Sequence, residues 1–233
     1  LQSLFFDLTS LIEYCSAYFD QRHYAEKVVD RYYDNGGQLI IGENTKYAIH
    51  ERMNNRSRLW DHLITRANDL LKESENPKLE YKSEVLDYTS LQSELQFDLT
   101  DGYLSDVDEL RRDLQNKNLE EFRNQVDDAR IIGKYQRKEL ESVKKLSEFG
   151  RGGRGSWMLD STIGQYTDSD DHTNSVMNYA YWCQSNNGAL VVGSKSDLAD
   201  NQDEVCNAIQ ANISGSTPDI YSCEDITERL GFD

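Results

Sequence analysis

The chain has 233 residues, 42 of them acidic against 25 basic, for a formal net charge of −17 at neutral pH, with four cysteines and only two prolines. That length suffices for one large or two small domains, each able to bury its own core. A balance this acidic excludes nucleic acid as a partner class, because phosphate recognition needs clustered Lys and Arg. No run approaches the roughly eighteen consecutive apolar residues of a membrane span.

Taken in order, the chain reads first as helix. From Ser3 to Asp34 the residues Leu4, Leu8, Leu11, Cys15, Phe19, Ala25, Val29 and Tyr32 keep a spacing of three and four, and Gly36-Gly37 supplies the positive φ at which helices commonly end. The triplet Leu39-Ile40-Ile41 follows. A second helix is predicted from about Asn44, with Ile49, Met53, Trp60, Ile64, Ala67 and Leu71 on one side, and Asn76-Pro77 ends it. Leu79 to Phe97 reads as a third helix with Val85, Leu86, Leu91 and Leu95 inward, and Asp98 to Gly102 as a break.

The longest periodic stretch is Ser105 to Phe149. It opens on a capping-box pattern at Ser105, and Val107, Leu110, Leu114, Leu119, Phe122, Val126, Ala129, Ile132, Leu140, Val143 and Leu146 continue an apolar stripe. At 1.5 Å per residue this is a rod on the order of 65 Å, which needs flanking helices over most of its length. Beyond it the glycine-rich joint 150–155 reads as a hinge, because so many glycines stop a helix.

The segment from Ser156 onward differs in character. It holds thirteen Asp and Glu against Lys195 and Arg229, a net of −11, while the rest of the chain nets −6. Val176 to Cys183 and Ala189 to Val192, separated by Asn186-Asn187-Gly188, have the composition of a β-hairpin. Ser196-Asp197 caps a short helix through Ile209, and a last helix covers Cys223 to Leu230.

The predicted fold class is thus mainly α: an elongated antiparallel bundle of three helices, or four if the chain reverses near 98–104, over residues 1–149. The hinge 150–155 joins it to a small disulfide-tied α+β module over 156–233. Four cysteines, Cys15, Cys183, Cys206 and Cys223, form an even set without C-x-x-C spacing, which favours two disulfides and a secreted, extracellular chain. Every complete pairing ties Cys15 to the tail. A start at Leu1 without a leader reads as a trimmed chain, and the sequons at Asn55 and Asn212 suit glycosylation.

No catalytic motif emerges. Gly150, Gly152 and Gly155 match G-x-G-x-x-G by letter, but a helix precedes them where the dinucleotide fingerprint needs a strand. His23, His50, His62 and His172 share no metal-ligand spacing. Asp168 and Asp170 alternate as in a calcium loop, yet the turn glycine and the distal Glu are missing. No metal, cofactor or catalytic residue is therefore assigned, and the chain reads as a non-enzyme. The candidate partner surface is the acidic loop with Tyr166, Asp168, Asp170 and Asp171, flanked by the aromatics Tyr179, Tyr181 and Trp182. Acids steer a partner with a basic surface, and exposed aromatics anchor it.

Cys15 on the first helix, the long charged helices, the joint Phe149-Gly150-Arg151-Gly152-Gly153-Arg154-Gly155-Ser156-Trp157 and the cysteine-bearing end together resemble the salivary secreted proteins of blood-feeding mosquitoes, the thirty-four-kilodalton type in particular. The layout is also similar to that of trypanosome surface glycoproteins. The resemblance implies a secreted protein that binds a host protein in haemostasis or immunity, and it supplies no catalytic residues; the chain itself is expected to be a monomer or weak homodimer. A structural or adhesive coiled coil is the alternative from another class, and a hydrolase without a recognisable motif stands behind it.

Overall fold

A computed structural model of the chain describes residues 3–15, 22–73, 88–95, 112, 117–142, 146–149 and 157–231. Most of the described residues are helical, as the composition of the apolar stripes implies, but the helices are organised around a parallel sheet. Three short apolar runs make its centre. Ser3–Phe6 is β1, Gln38–Gly42 is β2 and Gly188–Val192 is β4, with Leu146–Phe149 as β3 and Ile220–Ser222 as β5. The order is β3-β2-β1-β4-β5 and every pairing is parallel, with Phe6 level with Ile41 on one side and Val191 on the other.

Continuous apolar runs belong in such a sheet because both faces are covered by helices. On one face Phe5, Ile40, Leu190, Val192 and Ile220 pack with Leu159, Val176, Tyr179 and Ile209. These come from the helices Trp157–Ile163 (α6), Asp170–Trp182 (α7) and Gln202–Asn212 (α9). The alternate residues Leu4, Phe6, Leu39, Ile41 and Val191 are equally buried and point to the opposite face. There Arg22–Asp34 (α2) packs on β2 and on the last helix, Cys223–Leu230 (α10). Leu8–Tyr14 (α1) follows β1, and the four-residue helix Asp197–Asp200 (α8) follows β4.

The sheet and its helices form one compact unit, residues 1–50 and 141–233. A second unit, residues 51–140, lies between β2 and β3 in the chain. It contains most of Glu43–Glu73 (α3), with Tyr88–Leu95 (α4) and Leu119–Ser142 (α5). Arg58 donates to the Leu95 carbonyl at 2.6 Å, His62 meets Glu94 at 2.9 Å, and Arg130 bridges to Asp61 at 3.1 Å. Burial lowers the His62 pKa against the pull of Glu94. The expected inward residues Met53, Trp60, Ile64, Ala67, Leu91, Leu95, Phe122, Val126 and Ala129 are all buried.

Several expectations are corrected. The stretch 3–34 is not one helix: it begins as a strand, and α1 starts only at Leu8. The long rod is interrupted at residues 117–118, where Asn118 opens α5 with a reciprocal capping box, Asn118 N–H to Glu121 and Glu121 N–H to Asn118, both at 2.9 Å. Its far end, Leu146–Phe149, is strand β3. The hairpin is absent too. Residues 170–182 are helix α7, and β4 pairs in parallel with β1 and β5. The helix end at Gly36, with φ of 78°, the cap at Ser196 and the helix at Cys223 lie where the sequence places them, but the helix expected from Ser196 through Ile209 is two helices, α8 and α9, separated at Asn201. The hinge 150–155, the Ser105 cap and the break at 98–102 lie outside the described residues.

Candidate functional site

In an open parallel sheet, ligands gather at the carboxyl ends of the strands where the winding direction reverses. Here the chain winds from β1 out to β2 and β3, then returns to β4 and β5 on the other side of β1, so the reversal falls between β1 and β4. Asp7 stands directly after β1, and Gly193-Ser194 directly after β4.

Asp7 is fully buried and caps α1: its carboxylate accepts the Ser10 N–H at 2.7 Å and the Thr9 hydroxyl at 2.8 Å. The same Thr9 oxygen accepts the Gly193 N–H at 2.8 Å. Gly193 must approach closely to allow this, since a Cβ there would lie 3.0 Å from the Thr9 carbonyl oxygen. One turn further along α1, buried Glu13 accepts the Ser194 N–H at 2.6 Å and the Ser194 hydroxyl at 3.1 Å. Burial raises the Glu13 pKa most, and the nearby Asp7 charge raises it further, against the lowering effect of the Ser194 bonds.

The third member comes from α7. Ser169 caps that helix, accepting the His172 N–H at 3.2 Å, and this holds the His172 ring at 2 % exposure against the end of β1. Nδ1 contacts Asp168 at 3.0 Å, and Nε2 lies 2.7 Å from Asp7. The Nε2 contact lacks the alignment of a hydrogen bond, so its attraction is that of an ion pair. Burial alone would push the imidazole toward neutrality, as would its place in the first turn of a helix. Against burial, the close contacts and charges of Asp168 and Asp7 together win and lift its pKa to about 9. A shift in this direction favours the imidazolium form of His172 at neutral pH.

Alongside, Thr45 and Ser175 share a buried hydroxyl contact at 3.0 Å, and a Cβ on Gly42 would meet Asn178 at 2.5 Å, so α7 lies tight against the end of β2. The switch point thus carries the polar inventory of a binding site, with those groups engaged with one another. Glu13 sits where loop N–H groups could take an anion, and His172 sits as a cation between carboxylates. Among the described residues no group of three or more His, Cys, Asp or Glu is placed to hold a metal ion.

Sequence reasoning passed over Asp7, Glu13 and His172. A signal existed in Phe6-Asp7-Leu8-Thr9-Ser10, an apolar run ending in an N-cap residue, but the helical spacing across it concealed the strand. Of the residues assigned to a partner surface, Asp168 is committed to His172, and Asp170 and Asp171 are exposed on the first turn of α7. Tyr166 hydrogen-bonds Glu204 of α9, which raises its pKa, and Tyr181 is half-buried. Tyr179 and Trp182 are corrected outright: at 0 % and 3 % exposure they are core residues. They ring Phe5 with centroids 5.8 and 5.6 Å away. A helix turns both toward the sheet where a hairpin would have faced one outward.

The expected disulfides are also absent: no bond links Cys15, Cys183, Cys206 and Cys223. Cys15, Cys183 and Cys223 are buried beside the sheet, where small apolar side chains are wanted. Burial pushes Cys183 up to about 12 and Cys206 to about 11, and Cys223 well above its ordinary value, so these thiols are poor nucleophiles at neutral pH. Asn55 lies within helix α3, whereas Asn212 ends α9, exposed, with its amide bonded to the Ala208 carbonyl at 2.8 Å.

No helix among the described residues is long and apolar enough to cross a membrane. The framework is a doubly wound parallel α/β domain with a helical insertion after β2. No family model, curated protein or solved structure matches the chain.

Proposed function

We propose that this protein acts by binding, without catalysis, and that its partner is a protein with a basic surface. The observation that carries the reading is the occupied switch point: Asp7 and Asp168 hold the His172 cation at 2.7 and 3.0 Å, and Glu13 holds the β4 loop at 2.6 Å. Buried groups engaged with one another are not presented to a substrate, and separating a buried ion pair costs several kcal/mol, about 3 to 5 when one partner is removed. Raised thiol pKa values support the same reading. The surface of residues 156–233 then carries the interaction. It has a net charge of −11, and Asp160, Asp170, Asp171, Asp203, Glu204 and Glu228 on it are all exposed. A field of one sign steers a basic partner and speeds association.

Two measurements test this. Surface plasmon resonance on immobilised poly-lysine, with acetylated poly-lysine as control, should give association that falls steeply with salt on the cationic surface alone. In parallel, chromogenic phosphomonoester, phosphodiester and carboxylic ester substrates with magnesium should show no turnover above the buffer rate. Turnover that disappears in Asp7→Asn would overturn the non-catalytic half of the reading.

A further inference from the structure

Outside the switch point the described surface carries a groove of about 530 Å³ between the sheet edge and the last helix, lined by Gln202, Tyr221, Asp225, Glu228 and Arg229. Tyr221 is the middle residue of β5, the edge strand, and α10 follows that strand at once, so side chains at Asp225, Glu228 and Arg229 overhang the edge. The groove already holds a cation of the chain's own. The Arg229 guanidinium lies 4.6 Å from the centroid of the Tyr221 ring and donates to its hydroxyl. That hydroxyl in turn donates to Asp219 at 2.9 Å, which fixes the ring. Two carboxylates line the groove with this ring and guanidinium: Glu228, and Asp225, which also accepts the Ser222 hydroxyl at 2.7 Å.

We infer that this groove receives a guanidinium or ammonium side chain from a basic peptide segment, which takes the place of Arg229 on the Tyr221 ring. The inference rests on the basic-partner reading above and assigns it a seat. Each part of the chemistry is present. A tyrosine face attracts a cation through its quadrupole, and carboxylates on the rim pair with the same charge. Arg229 displays that chemistry within the chain, through a contact that is exposed to solvent. It is exposed, one residue from the end of α10, where Gly231 at φ of 66° closes the helix. A displaced arginine at a helix C-terminus still finds the last carbonyls of the helix. Removing one like charge from a groove lined by two acids also leaves a stronger local field for an incoming cation. Arg229 therefore acts as a tethered competitor.

The test uses the full chain and a fluorescently labelled octa-arginine peptide, read by anisotropy at physiological salt. Arg229→Gln, which removes the competitor, is expected to tighten binding about fivefold, and Tyr221→Leu to weaken it by about the same factor. Tyr221→Phe keeps the ring and should bind at least as tightly as the unaltered chain, which separates loss of the ring from loss of the fold. Glu228→Gln should weaken binding about threefold, mainly through the association rate. If Arg229→Gln binds no tighter and Tyr221→Leu no weaker, the groove assignment is overturned, while uniform binding across the variants leaves the basic-partner reading intact. Absence of binding by the unaltered chain overturns both.

Discussion

His172→Gln removes the imidazole charge between Asp7 and Asp168 while keeping a side chain of similar size with an amide donor. The cost follows from the imidazolium itself. Its pKa stands at about 9 against an ordinary value of 6.5. At 1.36 kcal/mol per unit the folded state then favours the protonated ring by about 3 kcal/mol. The sign is that of a raised pKa: the full contribution is present below about pH 6.5, shrinks as the pH rises, and is gone above about pH 9. The variant should therefore unfold in urea with about 3 kcal/mol less stability near pH 6, and the gap to the unaltered chain should close toward pH 9. Buried thiols also make folding pH-dependent, but from about pH 8.5 upward and equally in both proteins, so they cancel in the difference. A gap that does not change between these limits, or a variant as stable as the parent near pH 6, would refute the buried imidazolium. Set against a total of about 5 to 15 kcal/mol, the loss leaves the variant measurable.

Other perturbations separate the parts of the site and its support. Glu13→Gln keeps an acceptor for Ser194 and removes a carboxylate whose ionisation burial opposes, so near-neutral stability at pH 7 is expected by urea unfolding; Glu13→Ala should cost about 1 to 3 kcal/mol, because the Ser194 N–H loses its partner. Tyr179→Phe removes a hydroxyl that donates to the Asp219 carbonyl at 2.8 Å and accepts the Asp219 N–H at 2.7 Å, and a thermal or urea midpoint should report a loss of about 1 to 3 kcal/mol. Gly188→Ala places a Cβ 2.3 Å from the Ser3 carbonyl oxygen and 2.6 Å from the Trp182 ring, and strain of about 1 to 3 kcal/mol should appear in the same assay. Thiol titration of the denatured, unreduced chain should count four reactive groups, and the native chain should react slowly; a count of zero would restore the disulfides.

Helix content was legible, and the sheet was not, for a physical reason. Amphipathic helices such as α3 and α5 leave a stripe of period 3.6, and Ile49, Met53, Trp60 and Phe122 were accordingly placed inward. Parallel strands buried on both faces leave no alternation. Leu4-Phe5-Phe6 and Leu39-Ile40-Ile41 are continuous apolar triplets, and a triplet is compatible with one turn of a buried helix. Val176 to Trp182 misled in the opposite direction, since β-branched and aromatic residues are common both in strands and in helices that cover a sheet. The site followed the sheet. Asp7, Glu13, Ser194 and His172 are up to 181 residues apart in contact pairs such as Glu13 with Ser194, and only parallel pairing of β1 with β4 brings them together. The acidic surface of the last third was legible from composition alone, and Cys15, Cys183 and Cys223 were misread because buried thiols and disulfide partners look alike in a sequence.

The most direct test of the occupied switch point is the nitrogen spectrum of the His172 ring, recorded on labelled protein by long-range proton–nitrogen correlation across neutral and alkaline pH. Both ring nitrogens should be protonated at neutral pH, with titration near pH 9, and millimolar magnesium or inorganic phosphate should leave the signals unmoved. A neutral ring at pH 7, or nitrogen shifts that track added magnesium or phosphate, would contradict the account and return the switch point to the list of ligand-binding sites.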